Sequence, residues 1–331
     1  MTNEYSTIFF PLFGIEWNPD RFFQIGPFTI QFYGILIALG LVLAVIYAWK
    51  RASEFGIRAD DLTDGVLCVV PFSIICARAF SCAFQWEQYA DNPITVFYIW
   101  NGGLAIYGGV IGAFVGVTVY SLIKKIKLPA LLDLVAIGFL IGQCVGRWGN
   151  FFNREAFGSA TDSLLRMGLL NDLTGKVEYH HPTFLYESVW TFAGFMLLHM
   201  FSKFRKYDGQ IALGYVAWYG FGRTLIEALR TDSLYWGPFR VNQLLAAVSC
   251  FAAVMVLLVQ MFREHSEEKL FVNQVAALAE QELCLDEDDE DDEDDESEEV
   301  TDEESEEEPE EETPEQSEEI AEEVTEEPTE E

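Results

Sequence analysis

Residues 131–158 read LLDLVAIGFLIGQCVGRWGNFFNREAFG. Leu131 to Val145 is an apolar run of helix length, and Gly146 to Gly158 closes it with arginine, two amides, a carboxylate and three glycines. A charged side chain at mid-bilayer costs roughly 2.5 to 3.5 kcal/mol on insertion scales, so such residues are kept where they line an interior cavity and do work. If this run crosses a membrane, its polar end marks a functional site.

The chain around it fits that reading. Of its 331 residues, those from Glu264 onward hold 36 of the 54 acids and a single base, Lys269; residues 1–263 then carry 18 acids and 19 bases, a net charge near +1. The formal charge of −34 therefore belongs to the tail. The first 263 residues contain several apolar runs of about 18 to 20 residues, enough to cross a hydrocarbon core of roughly 30 Å. The expected fold is an all-α, polytopic helical bundle of about seven spans, with a small exterior head and a disordered acidic tail. Residues 1–20 show no basic region of a cleavable signal. The cysteines Cys68, Cys76, Cys82, Cys144, Cys250 and Cys284 form no CxxC pair, and the first five read as small buried hydrophobes.

In chain order, residues 1–27 mix aromatics with turn formers and read as an interfacial segment. The expected spans are Phe28–Trp49, Gly65–Phe84, Leu104–Ile123, Leu131–Val145, Phe184–Met200, Gln210–Leu229 and Asn242–Phe262. They make a catalytic unit over 28–263, its exterior head at about 151–182. Short cytoplasmic loops hold excess Lys and Arg. Lys50, Arg51 and Arg58, then Lys124, Lys125 and Lys127, then Lys203, Arg205 and Lys206 follow spans one, three and five, while 85–100 has no base. The amino terminus is thus expected outside and the tail, 264–331, in the cytoplasm. Trp86, Tyr89, Tyr98 and Trp100 suit a headgroup layer. From about Asp286 the tract is too acidic to offset ordering entropy.

With that topology the polar groups collect on the outer side. Arg147, Asn150 and Glu155 end span four, and Arg223, Glu227 and Arg230 share one face of span six at i, i+4, i+7. Gly102, Gly103 and Tyr107 open span three; His181 and Glu187 open span five; Tyr33 lies early in span one. Arginines and glutamates on neighbouring helices can simply neutralise one another, the plain reading for Glu187, Arg154 and Arg230. Two guanidiniums at similar depth, Arg147 and Arg223, point instead to an anion, because the planar fork suits phosphate. The anion at hand in a membrane is a lipid headgroup. The glycine-rich stretch lacks the lysine of a nucleotide loop, and adjacent His180 and His181 make a poor chelating pair. No metal, cofactor or nucleic-acid partner is expected.

GRWGNFFNREAFG at 146–158 resembles the signature of bacterial prolipoprotein diacylglyceryl transferases, of the form G-R-x-G-N-F-x-N-x-E-x-x-G. WNGGLAIYGG at 100–109, HPTFLYE at 181–187, YGFGRTLIEALR at 219–230 and Tyr33-Gly34 agree with it, so the resemblance covers roughly 20–262 and stops at the tail. It implies an inner-membrane enzyme of seven spans. Its substrates would be phosphatidylglycerol and the lipobox cysteine in the signal peptide of a prolipoprotein, and its products a thioether and glycerol phosphate. By motif position, Arg147, Asn150, Glu155 and Gly158 are implied as functional residues of the signature, Arg223 and Glu227 as the later essential pair, and Tyr33 as the early tyrosine. Some members carry histidine where this chain has Tyr107, whose phenol, with an ordinary pKa near 10, is a weak base at neutral pH.

A cysteine thiol of pKa about 8.5 is only a few per cent thiolate at pH 7. The site must therefore lower that pKa or remove the proton, with Tyr107, Glu227 and Glu155 as candidates among which the sequence does not choose. Gly102, Gly103, Gly158, Arg230 and His181 are expected around the bound substrate. A lipid or small-molecule transporter would use the same intramembrane arginines, although no inverted repeat relates the halves.

Overall fold

The computed structural model describes residues 5–26, 28–99, 102–231 and 233–282; Trp100, Cys284 and the acidic tract from Asp286 onward lie outside the described residues. Seven long helices carry the architecture of the described chain: α1 (Phe32–Arg51), α2 (Ala59–Phe84), α3 (Ile106–Ile123), α4 (Leu128–Asn153), α5 (Thr183–Phe201), α6 (Gln210–Glu227) and α7 (Val241–Met261). Six of them, all but α6, are long and apolar enough to cross a membrane. The protein is a multi-pass membrane protein. The sixth expected span, α6, has the length, but Gln210, Arg223 and Glu227 dilute its apolar character.

α4 is the axle, with 44% of its apolar window buried against 11% for α1 and α7. It packs against α1, α5 and α6, while α2 pairs with α3 and α6 with α7. Small residues let α1 and α4 approach closely: a Cβ on Gly40 would lie 3.1 Å from the Gly142 carbonyl oxygen, and one on Gly138 would lie 3.2 Å from that of Ala44. Small-residue seams are how helices associate in lipid, where apolar surface gains nothing by leaving the solvent. Leu134, Ile137 and Leu140 of α4 complete the core with Ala48, Phe55 and Ile211.

Several spans begin or end elsewhere than expected. Phe28–Gln31 is a strand, β4, paired antiparallel with β3 (Phe22–Ile25) across a turn where Gly26 takes φ +59°, so the first helix starts at Phe32. The second helix starts at Ala59 rather than Gly65, the third at Ile106 rather than Leu104, and the fourth runs to Asn153 rather than Val145. The last correction places Arg147 and Asn150 on a continuing helix. A helix satisfies its own backbone, so polar side chains in lipid are no reason for it to stop.

The amino-terminal segment is more ordered than an interfacial stretch. β1 (Tyr5–Phe10) and β2 (Ile15–Trp17) join β5 (Met167–Asn171) and β6 (Lys176–His180) in one antiparallel sheet, ordered β2-β1-β5-β6. This sheet is the head. Ile8, Leu169, Met167, Phe151 and Phe184 form its core, and the last two rings come from α4 and α5. Arg154 seals the junction in a left-handed conformation (φ +53°), donating to Asn18 Oδ1 at 2.8 Å and the Pro19 carbonyl at 2.6 Å. Its burial pushes the guanidinium below its ordinary pKa. Arg154 was expected to neutralise a carboxylate on a neighbouring helix; its guanidinium is held instead by an amide and by backbone carbonyls.

The opposite, basic end is tied by buried charge. Asp133 caps α6, accepting from the backbone N–H of Gly209 (2.8 Å) and Ala212 (2.7 Å). Asp208 pairs with Lys127 at 2.9 Å and accepts from the Phe271 N–H at 2.9 Å, which docks the start of a helix over 271–282. Phe271 itself packs on the main core.

Candidate active site

The chain alternates direction through the bundle, so the amino-terminal turns of α1, α3, α5 and α7 meet the carboxyl-terminal turns of α4 and α6 at the head end. At their centre is Glu187, in the second turn of α5 and with its side chain 4% exposed. Arg147 of α4 approaches its Oε2 at 2.6 Å and Arg223 of α6 its Oε1 at 2.5 Å. Arg230 stands 3.8 Å from the same Oε1. Arg223 also meets Glu227, one helical turn on, at 2.7 Å. The two guanidiniums singled out from the sequence thus converge on one carboxylate.

The pairing is incomplete in a useful way. The Arg223–Glu187 contact is aligned as a hydrogen bond, whereas Glu187 Oε2 and Glu227 Oε2 are close to their arginines without hydrogen-bond alignment. Arg147 keeps 22% of its side chain exposed, and its ion pair with Glu187 runs through Nη2. A guanidinium has five N–H donors, so most of the Arg147 fork is open to a further acceptor. A narrow crevice of about 10 Å³ between α5 and α6 reaches Glu187 and Arg223 past Trp190 and Tyr219. That is below the ~300–1,000 Å³ of ligand pockets, so it is a gap in packing rather than a substrate chamber.

Glu227 is 1% exposed and collects donors: Ser233 Oγ at 2.9 Å and Asn242 Nδ2 at 3.3 Å on Oε1, with the Arg240 guanidinium on its backbone carbonyl. Tyr107 joins through Asn242, donating from its hydroxyl to Oδ1 at 2.5 Å. Glu155 stands apart from this cluster. It is exposed, and Oε1 accepts from Asn150 Nδ2 (3.2 Å) and Asn153 Nδ2 (3.1 Å). Tyr33 sits within electrostatic reach of both Glu155 and Arg147. It can do so because a Cβ on Gly149 would fall 2.4 Å from its ring.

The other expected residues have local structural duties. Gly102 and Gly103 take φ of +87° and +76° and wrap buried Arg78, which donates to their carbonyls at 2.6 and 2.9 Å. A Cβ on Gly103 would meet Arg78 Nη1 at 2.6 Å. Gly158 pairs with Arg230 as an isolated bridge and donates its N–H to the His181 carbonyl at 2.9 Å, joining the head to the end of α6. The His181 ring faces the Tyr186 hydroxyl at 3.3 Å.

A family model described as prolipoprotein diacylglyceryl transferase matches residues 20–259. The chain belongs to that family. Curated relatives named phosphatidylglycerol–prolipoprotein diacylglyceryl transferase agree over most of their length. One from Limosilactobacillus reuteri is 40% identical over 267 residues, 78% of this chain and 95% of the relative. One from Bacillus cytotoxicus is 40% identical over 72% of this chain and 90% of its own. One from Bacillus velezensis is 37% identical over 77% and 97%. The resemblance read from GRWGNFFNREAFG is therefore a family membership.

The neutralising role expected of Glu187 is the one it has, since it is the carboxylate on which the arginines meet. Asn242 and Arg78 were not singled out. The signal available for Asn242 was an amide in the first turn of an otherwise apolar helix, and for Arg78 a lone cation inside α2.

Proposed function

We propose that this chain transfers the diacylglyceryl group of phosphatidylglycerol to the lipobox cysteine thiol of a prolipoprotein, and that Arg147 and Arg223 hold the lipid phosphate. Membership of the transferase family supports the reaction. The observation that carries the site is the convergence of both guanidiniums on Glu187 with the Arg147 fork largely unfilled.

In the reaction a sulfur–carbon bond forms and the glyceryl carbon–oxygen bond to phosphate breaks. The thiol proton balances the second charge of the departing glycerol phosphate. Charge grows on the phosphate as the bond breaks, and preorganised guanidiniums aimed at it stabilise that change in a site where water is scarce. The same positive field favours the thiolate over the thiol. Tyr33, Asn150 and Glu155 line the adjoining rim, and Glu227 holds Arg223 in place. The location that fits is the bacterial inner membrane, with the amino terminus and head outside and the tail, 264–331, in the cytoplasm.

The test uses membranes containing the protein, labelled phosphatidylglycerol and a lipobox peptide. A labelled peptide with a thioether is the expected product; a transporter yields none. Arg147→Lys and Arg223→Lys, at normal expression, should each lower transfer at least about a hundredfold, since a point charge loses the bidentate fork. Transfer near the wild-type rate in both variants would overturn phosphate recognition by these arginines.

A further inference from the structure

Asn242, the second residue of α7, joins two groups that lie far apart in sequence, and the direction of its hydrogen bonds is fixed. Glu227 is paired with Arg223 at 2.7 Å and accepts from Ser233, so it stands as a carboxylate, which only accepts. The Asn242 amide must therefore turn its NH₂ toward Glu227, and this leaves its carbonyl oxygen facing Tyr107. A carbonyl oxygen also only accepts, so the phenol must donate to it. The Tyr107 proton is thereby committed. The lone pairs of its oxygen face away from Asn242, on a residue that is 41% exposed.

Resting on the transferase reading above, we infer that Tyr107 is a fixed hydrogen-bond acceptor for the S–H of the incoming cysteine and that Asn242 is the positioning residue that makes it one. An unconstrained hydroxyl divides its time between donating and accepting. A thiol is a weak donor, and an acceptor with its donating role already taken orients that thiol where a free rotor does not. The phenol oxygen keeps its own proton throughout. Tyr107 thus sets where the sulfur sits and leaves its ionisation to the arginine field.

The test is steady-state transfer with peptide and lipid varied separately. Tyr107→Phe and Asn242→Ala should each raise KM for the thiol peptide about tenfold, the scale of one lost hydrogen bond, with KM for phosphatidylglycerol changed by less than about twofold. The double variant should be no worse than the poorer single one, because both remove the same contact. Additive losses, or a rise in the lipid KM instead, would overturn the assignment. So would a shifted pH midpoint of kcat/KM in Tyr107→Phe, which would make the phenol a base. If Asn242→Ala fails to accumulate in membranes, Tyr107→Phe decides alone, and an unchanged peptide KM is the overturning result. Absence of any thioether product from the wild-type protein would sink the transferase reading and is distinct from all of these.

Discussion

Glu187 holds together charges that would otherwise repel. Arg147, Arg223 and Arg230 all lie within 3.8 Å of its carboxylate. Removing one partner of a buried ionic group leaves the others uncompensated, at a cost of about 3–5 kcal/mol. Glu187→Gln should therefore lower the melting temperature in detergent as well as transfer, whereas Arg147→Lys should spare stability and lose activity. Equal stability of Glu187→Gln and wild type would show that the carboxylate does not hold the cluster. The arginines themselves were legible in the sequence because charge inside an apolar run is expensive and therefore conspicuous. Glu187 was legible as a neutralising charge but not as the point where three arginines meet, since it stands in the first turns of its helix, where a carboxylate has several ordinary explanations. Asn242 was invisible for a related reason: what matters is its partners, Tyr107 and Glu227, which lie 135 and 15 residues away.

Among the elements, the long apolar helices could be read from composition, but their ends could not. Hydropathy registers that Phe28–Gln31 is apolar, and it is silent on whether those residues extend into α1 or fold back on Phe22–Ile25 as a hairpin. It also registers polar residues after Val145 as an interruption, although α4 continues two more turns to Asn153. Those turns explain Gly149, whose bare backbone admits the Tyr33 ring. Gly149→Ala would place a methyl 2.4 Å from that ring. The expected result is displacement of Tyr33 and a loss of transfer of about tenfold or more, with helix content by circular dichroism unchanged. Wild-type transfer in Gly149→Ala would show that Tyr33 needs no such seat. At the other end of the bundle, Asp133→Ala deprives Gly209 and Ala212 of their acceptor. Loss of such a cap costs about 1–2 kcal/mol, and a lowered melting temperature with intact lipid recognition is the expected outcome.

At the scale of the molecule, the compact part of the chain extends to Glu280. The charge imbalance lies almost wholly beyond it, so truncation after Glu280 should leave transfer intact. Truncation after His265 removes Phe271 from the main core and the backbone N–H that Asp208 accepts. That variant should melt earlier, and identical melting of the two truncations would mean that the docked segment contributes nothing. The head was legible only in part. Its existence followed from the polar stretch after α4, but its sheet is completed by β1 and β2 from the opposite end of the sequence, a pairing that no local pattern announces. The close seam between α1 and α4, glycine on glycine, has a consequence for handling the protein. Contacts of that sort depend on shape rather than on the surrounding solvent, and Tyr33 and Arg147 ride on the two helices so joined. Their mutual placement should survive extraction into micelles, so kinetics gathered there speak for the enzyme at work in its native bilayer.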